Sequence, residues 1–323
     1  EHFPDQKIKT IYLGGGSPSI LSTDILSNVF QLISNNFHVS TNCEKTIELN
    51  PEDVSLELLA ILKKHEVNRV SLGVQSFNDK DLQILGRKHS AKQTEESIMF
   101  LKQQGFSNIN FDLIFGFKGL SDKTWKETLK TAISYNPTHI STYSLSIEKG
   151  AKFERQGQSK AASQDDYSQY SLAIKELTKN GYNHYEISAF TRDGYKCKHN
   201  LAYWNLTPFI GLGPQASSFF REKFYSGSKA LSKYIASPKP KLDNIRKEKK
   251  SRLLQNFLIT NFRLLEGLRL ADLQKRFSYN ILEEKKAELE KLEGLNLIKK
   301  TRAKIKLSKK GLYLLDEILL ELL

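Results

Sequence analysis

The strongest constraint on the fold is an alternation of short apolar runs with longer helical patterns over residues 8 to 147. The runs are rich in β-branched residues, as buried strands are, and they read KTIYLGG, KTIELN, RVSLGVQS, NINFDLIFG and HISTYSLSI. The four segments between them have the apolar spacing of amphipathic helices, and N-caps are expected at 22–24 and 121–122. Alternating strands and helices predict a parallel sheet with right-handed crossovers.

Polar residues near the C-terminal ends of three predicted strands help to choose between an open sheet and a barrel. These residues are Glu48, Gln75 and Asp112. Each of them alone fits a structural, hydrogen-bonded polar group as well as it fits a functional residue. Together they favour a barrel, because parallel barrels place their sites at this end of every strand, whereas open sheets concentrate function at one switch point. We therefore expect an α/β fold with a partial barrel that lacks an initial strand.

Three adjacent glycines, Gly14, Gly15 and Gly16, follow the first predicted strand. Glycine loses more backbone entropy on folding than other residues do, so three in a row are a poor choice for a plain turn. A loop without Cβ atoms is useful where a ligand must approach the backbone closely. The sequence therefore predicts a ligand-binding loop at this strand end.

Composition and charge limit the partners. The chain has only two cysteines, Cys43 and Cys197, whose separation matches no metal-ligand spacing and suits a reducing cytoplasm. No apolar run approaches the roughly 20 residues that span a bilayer. The net charge is +13, and residues 241–323 hold 20 Lys and Arg against 12 Asp and Glu. This excess of positive charge is compatible with binding to nucleic acid, to an acidic membrane surface or to an anionic ligand. We favour the simpler interpretation of a solvated, lysine-rich surface.

The remaining sequence predicts a second domain. Residues 164–220 continue with a helix, a strand and a loop rich in aromatic residues and glycine, and 237–250 have the proline and charge of a linker. A helix, a hairpin-like wing and a final helix follow. We expect a barrel over 1–236, a linker over 237–250 and a winged-helix-like domain over 251–323. A docking or dimerisation role is preferred to DNA binding, because no helix there is strongly basic.

The ordered motifs YLGGGSPS, TIELNP, RVSLGVQSFNDKDLQILGRKHS, FDLIFGFKG and ISTYSLSIEKG resemble one family. They are similar to the successive barrel motifs of radical S-adenosylmethionine (SAM) enzymes of the oxygen-independent coproporphyrinogen III oxidase superfamily. Within it, HNLAYW at 199–204 resembles the HNxxYW motif of HemW-type haem chaperones. The resemblance covers essentially the whole chain and implies a radical SAM partial barrel.

The resemblance also implies a SAM site. The glycine loop of the family contacts the amino and carboxylate end of SAM, and a guanidinium can bind that carboxylate bidentately. Strand-end residues of the family supply further contacts. Carried over position by position, the SAM-binding residues are Gly15, Gly16, Ser17, Glu48, Gln75, Arg87 and Asp112.

One departure from the family concerns the iron–sulfur cluster. Family members carry C-x3-C-x2-C before the glycine loop, and these thiolates hold three irons of a [4Fe–4S] cluster. This sequence has no such triplet, and its first residue is Glu1 rather than methionine. We expect the cluster segment to belong to a longer parent protein, a natural cluster-less relative being the alternative. Residues 1–323 alone are expected to form neither the cluster nor a 5′-deoxyadenosyl radical.

The HNxxYW motif implies a haem site at His199, Asn200, Tyr203 and Trp204. Imidazole is the usual protein ligand of haem iron, so His199 is the expected ligand and Cys197 the second candidate. The expected partners are haem or porphyrin and recipient haemoproteins, with peripheral membrane contact left open and nucleic acid disfavoured. The predicted function is cytoplasmic haem binding and transfer. The alternative is oxygen-independent coproporphyrinogen III oxidase, and no catalytic residue is assigned.

Overall fold

A computed structural model describes residues 6–146, 160–228, 230–236, 243–247 and 249–323. By compactness the chain divides into two units, residues 1–199 and 200–323. The end of the predicted ISTYSLSIEKG motif, at 147–150, lies outside the described residues, as do 237–242 and 248 of the predicted linker. The predicted domain limits at 236, 237–250 and 251 stay a prediction.

The first unit is built on a curled, seven-stranded half-barrel sheet. Five parallel strands come first in the order β1-β2-β3-β4-β5, and the antiparallel strands β7 and β6 complete the sheet. The strands are β1 (Lys7–Leu13), β2 (His38–Leu49), β3 (Arg69–Gln75), β4 (Ile109–Phe115), β5 (His139–Ser144), β6 (Asn183–Glu186) and β7 (Ala189–Thr191). The predicted parallel half-barrel is confirmed, but the single strand predicted at HYEISAF is wrong: it is a hairpin, because the chain reverses at 187–188.

Helices of the first unit connect the strands: α1 (Thr23–Asn36), α2 (Leu56–Lys64), α3 (Asp79–Ile84), α4 (Ala91–Gln103), α5 (Asp122–Ser134) and α6 (Ser163–Lys179). Serine begins several of them, because its hydroxyl accepts a hydrogen bond from an otherwise unpaired backbone N–H group. The predicted caps Ser22 and Ser121 accept such bonds, and Ser90 forms a capping box with Gln93.

The two faces of the parallel sheet differ in polarity, because successive strand residues point to opposite sides. One face is apolar and buried, with Ile47, Val70, Leu72, Phe111 and Leu113 all at 0% exposure. The other, which we call the inner face, is polar: Thr10, Tyr12, Glu44, Thr46, Glu48, Arg69, Ser71, Asn110, Asp112, His139 and Ser141. Two of the predicted ligand-binding residues, Glu48 and Asp112, are therefore part of a polar surface that runs across the strands.

The second unit combines two small antiparallel sheets with helices. Its strands are β8 (Ser217–Phe220), β9 (Lys223–Ser226), β10 (Asp243–Lys247), β11 (Leu268–Arg269), β12 (Ile298–Lys300) and β13 (Lys304–Leu307), in the orders β10-β9-β8 and β11-β13-β12. Strand β10 occupies residues that the sequence assigns to a linker. Within the described residues no helix is both long and apolar enough to cross a bilayer.

Helix α7 (Lys198–Trp204) spans the boundary between the units. The helices of the second unit are α8 (Leu231–Ala236), α9 (Lys250–Asn261), α10 (Leu270–Phe277), α11 (Ile281–Glu284), α12 (Lys286–Gly294) and α13 (Leu315–Leu322). The β12–β13 hairpin lies between α12 and α13, so the predicted order of helix, wing and final helix is observed. The apolar core of the second unit includes Phe257, Leu273, Ile305 and Ile318.

Candidate functional site

The glycine loop after β1 lies against Glu48. Gly15 has a left-handed backbone, with φ at +82°, and its N–H group donates to Glu48 Oε2 at 3.1 Å. A Cβ atom on Gly14 would lie 2.5 Å from Glu48 Cδ, closer than any real contact, whereas one on Gly16 would meet nothing within 4 Å. The three glycines therefore differ: Gly14 leaves room for the carboxylate, Gly15 supplies the turn, and Gly16 keeps open space beside the loop.

Neighbouring polar groups hold the predicted SAM residues Glu48 and Ser17 in place. The Tyr12 hydroxyl donates to Glu48 Oε1 at 2.7 Å, and burial and the Glu48 charge raise the pKa of Tyr12, which keeps this donor protonated. The Ser17 hydroxyl accepts a hydrogen bond from Asn50 Nδ2 at 3.2 Å. Asn50 also donates to Asp53, which links the loop to the end of β2.

Asp112 lies on the inner face one strand beyond Ser71. The Ser71 hydroxyl donates to its Oδ2 at 2.8 Å, and Asn110 Nδ2 donates to its Oδ1 at 2.9 Å. Burial raises the pKa of Asp112 to about 6, since both hydrogen bonds favour the ionised form but do not offset the lost hydration, and the charge of Glu48 raises the pKa further. The two predicted SAM carboxylates thus share one electrostatic environment.

Gln75 is the last residue of β3, and Arg87 follows in the segment between α3 and α4. Gln75 is buried, has φ at +63° and adjoins an irregularity in the β3–β4 pairing, where it is opposite Leu113, the neighbour of Asp112. Burial lowers the pKa of Arg87, while Glu52 and Asp112 act in the opposite direction. Among the described residues, the buried Arg87 Nε has no hydrogen-bond partner. A half-buried guanidinium with a buried, unused Nε donor is suited to an incoming anion.

His199 is held by residues of β1 and β2. Its Nδ1 lies 2.9 Å from Thr10 Oγ1, and its ring stacks on Tyr12 with the centroids 4.9 Å apart. Its backbone N–H donates to Glu44 Oε1 at 2.9 Å. Burial lowers the pKa of His199 to about 4, Arg69 lowers it further, and the carboxylate of Glu44 opposes the shift. The imidazole is therefore neutral at pH 7, the form that binds metals.

The rest of the HNxxYW motif belongs to the second unit. Tyr203 packs edge-on against Phe209 at a centroid distance of 4.4 Å, and the Arg263 guanidinium lies 4.5 Å from the centroid of the Trp204 ring. Within the part of the chain that the structure describes, Trp204 Nε1 is buried without a hydrogen-bond partner. Tyr203 and Trp204 therefore have aromatic or cationic neighbours. Asn200, the remaining predicted residue, follows His199 in α7.

A hydrogen-bond chain on the inner face was not predicted from the sequence. His139 Nδ1 lies 2.5 Å from Asn110 Oδ1, and His139 Nε2 lies 2.9 Å from the Tyr185 hydroxyl. That hydroxyl accepts a bond from the backbone N–H of Cys197 at 3.3 Å. Since Asn110 also donates to Asp112, the chain connects a predicted SAM residue to the residue two positions before His199. The sequence did contain one indication of this hydrogen-bond chain, because polar residues occupy every second position of the strands.

The radical SAM resemblance implies two cofactors, and the residues present fit only one of them. The glycine loop and the unused Arg87 donor fit SAM, whose amino acid end carries an ammonium and a carboxylate. A [4Fe–4S] cluster needs three thiolates, and the sequence has two cysteines, both buried. No group of three or more metal-ligating side chains occurs among the described residues. Residues 1–323 therefore do not fit the cluster.

Comparison with known protein families and structures gives consistent results. Residues 1–132 match the Radical SAM superfamily, and residues 251–314 match the HemN C-terminal domain. The fold is similar to the solved structure described as coproporphyrinogen III oxidase (HemN) from Escherichia coli, with a TM-score of 0.85 and 20% sequence identity. The similarity covers 99% of this chain and 79% of the other. That similarity supports the fold of a radical SAM protein.

Several curated relatives have the name heme chaperone HemW. The protein from Lactococcus lactis is 31% identical over 98% of this chain and 88% of its own length. Those from Bacillus subtilis and Escherichia coli are 36% and 33% identical over 66% and 64% of this chain, and the matches span 57% and 55% of their lengths. On these matches and the two family domains, the chain belongs to the HemW-type family of radical SAM proteins.

Proposed function

We propose that this protein binds haem and transfers it to recipient haemoproteins in the cytoplasm. The observation that carries the proposal is the neutral imidazole of His199, which is half-buried at the first position of HNxxYW and fixed by Thr10 and Glu44. Neutral imidazole is a common axial ligand of haem iron. A relative that aligns with 98% of this chain has the name heme chaperone HemW, which agrees with this chemistry.

The SAM site has a separate role in the proposal. Membership of the radical SAM superfamily implies SAM and a [4Fe–4S] cluster, and SAM would lie between the glycine loop and the carboxylates of Glu48 and Asp112. The guanidinium of Arg87 would bind the SAM carboxylate, and Glu48 would accept a hydrogen bond from the SAM ammonium group. Gly15 and Gly16 would allow SAM to contact the backbone. No chemical step is assigned to the cluster, because residues 1–323 do not hold its three thiolates.

Replacing the proposed haem ligand tests the function. The variant His199→Ala should lose or shift the Soret band of the haem complex and bind haem at least about tenfold more weakly, a loss of roughly 1.4 kcal/mol, because an axial ligand is removed. Haem titration followed by absorbance measures both effects. Cys197→Ala is the matched control, since Cys197 is buried two residues away and is the second candidate ligand.

Two results would contradict the proposal. Haem affinity and a spectrum unchanged in His199→Ala would exclude His199 as a ligand, and a loss confined to Cys197→Ala would indicate thiolate ligation. Conversion of coproporphyrinogen III to protoporphyrinogen IX by the protein with SAM and a reductant would identify the alternative enzyme instead. Transfer is measured separately, by the appearance of the spectrum of a recipient apo-haemoprotein mixed with the haem complex.

A further inference from the structure

Two neighbouring strands hold His199 through a cross-strand pair, Thr10 on β1 and Glu44 on β2. The two residues are opposite each other in the parallel register and belong to the inner face. Both oxygens of the buried Glu44 carboxylate are used at the start of α7: Oε2 accepts from the N–H of Lys198 at 3.0 Å and Oε1 accepts from the N–H of His199 at 2.9 Å. These charge-assisted bonds join residues more than 150 positions apart in the sequence and fix the backbone of His199.

Thr10 contacts the ring rather than the backbone of His199. The distance from Thr10 Oγ1 to Nδ1 is 2.9 Å, and Tyr12, the next inner-face residue of β1, stacks on the same ring at an interplanar angle of 24°. A neutral imidazole has one N–H group and one lone pair, and the hydrogen bond made by one nitrogen determines which nitrogen holds the lone pair. The Thr10 hydroxyl can accept a proton from Nδ1 or donate one to it.

We propose that Thr10 and Glu44 are positioning residues that orient His199 so that its Nε2 presents the lone pair to haem iron. In this arrangement Nδ1–H donates to Thr10 Oγ1, and Glu44 fixes the backbone from which the ring extends. The inference rests on the proposed function for the identity of the metal, but the tautomer of His199 is a property of the haem-free protein. Residues that hydrogen-bond a metal-binding histidine in this way typically change metal affinity by about 10- to 100-fold.

A matched control is available on the same face. Thr46 is the next inner-face residue of β2 after Glu44, is 1% exposed and, within the described chain, its hydroxyl has no hydrogen-bond partner. Thr46→Val and Thr10→Val make the same change of shape and chemistry, but only the second removes a contact with His199. If the two hydroxyls only stabilise the fold, Thr46→Val and Thr10→Val should not differ in the properties of His199.

The first experiment measures the tautomer without haem. Nitrogen-15 NMR of histidine side chains distinguishes Nδ1–H from Nε2–H, and the signal of His199 among the seven histidines is assigned from its absence in His199→Gln. We expect Nδ1–H in the wild type and in Thr46→Val, and a shift towards Nε2–H in Thr10→Val. An Nε2–H tautomer in the wild type, or the same tautomer in all three proteins, would overturn the assignment to Thr10.

The second experiment measures haem binding by Thr10→Val, Glu44→Gln and Thr46→Val. The first two should bind haem about tenfold more weakly and show altered electron paramagnetic resonance of the ferric haem, whereas Thr46→Val should match the wild type. Circular dichroism establishes that each variant is folded. If His199→Ala changes the spectrum but Thr10→Val and Glu44→Gln do not, the positioning inference fails alone. If His199→Ala has no effect, the ligand assignment fails, and the NMR result still decides the tautomer.

Discussion

The carboxyl group of Asp112 lies in surroundings that oppose its ionisation. It accepts hydrogen bonds from Ser71 and Asn110, yet burial and the charge of Glu48 still raise its pKa to about 6 from an ordinary value of 3.8. A site that binds the ammonium of SAM gains from a second carboxylate that can ionise near neutral pH. The sequence predicted Asp112 near the C-terminal end of its strand, but Asp112 is the middle residue of β4. Its pKa depends on neighbours from other strands, which a local pattern does not contain.

Stability should therefore depend on pH through Asp112. Between about pH 4 and 6 the folded protein retains a proton that the unfolded chain has lost, so the contribution of Asp112 is fully present below pH 4 and is lost as the pH rises through 6. Its size is on the order of 2–3 kcal/mol. Asp112→Asn should remove this part of the pH dependence and raise the free energy of unfolding above pH 6 relative to the wild type. Urea unfolding at pH 4 and 7 measures both effects.

The exposed Asp24 provides the control for that measurement. It lies in the first turn of α1, outside the inner face, so Asp24→Asn should keep the pH dependence of the wild type between pH 4 and 6. If the free energy of unfolding of Asp112→Asn depends on pH as steeply as that of the wild type, the raised pKa of Asp112 is wrong.

At the scale of elements, long periodic segments were predictable and short ones were not. Strands β1 to β5 contain the apolar runs from which they were predicted, although β2 begins at His38, before its predicted run KTIELN. The hairpin of β6 and β7 and the strands β8 to β10 have only three to five residues each, too few for a pattern. Their pairing depends on tertiary contacts, which a local pattern does not contain.

The glycine loop gives a prediction at the same scale. Gly14→Ala should weaken SAM binding by about tenfold or more, because the new methyl group would displace the Glu48 carboxylate from its place beside the loop. Gly16→Ala should have a much smaller effect, since its Cβ meets no atom within 4 Å and its backbone is not left-handed. Isothermal titration with SAM compares the two variants. If both variants lose SAM affinity equally, the space beside Glu48 is not the reason for the glycine at position 14.

For the molecule as a whole, the sequence proposed residues for each site but did not predict what surrounds them. HNxxYW indicated His199, whereas Thr10, Tyr12 and Glu44 are separated from it by more than 150 residues and gave no local signal of a shared site. The sequence likewise indicated Glu48 and Asp112 without the chain from Asn110 through His139 and Tyr185 to Cys197. A motif identifies a residue type and position, and only the fold assembles its neighbours.

The two cofactor sites differ in how much of each lies in residues 1–323, and this difference gives the last prediction. Thr10 and Glu44, which contact His199, lie within residues 1–323, whereas the two cysteines of the sequence do not form the three-thiolate motif that a [4Fe–4S] cluster requires. Residues 1–323 should therefore bind one equivalent of haem, seen as a saturating Soret band, and fail to gain stoichiometric iron and sulfide on anaerobic reconstitution. A brown product with four irons per chain would contradict the cluster assignment. Haem binding only in a longer, cluster-loaded protein would show that His199 and its neighbours are insufficient.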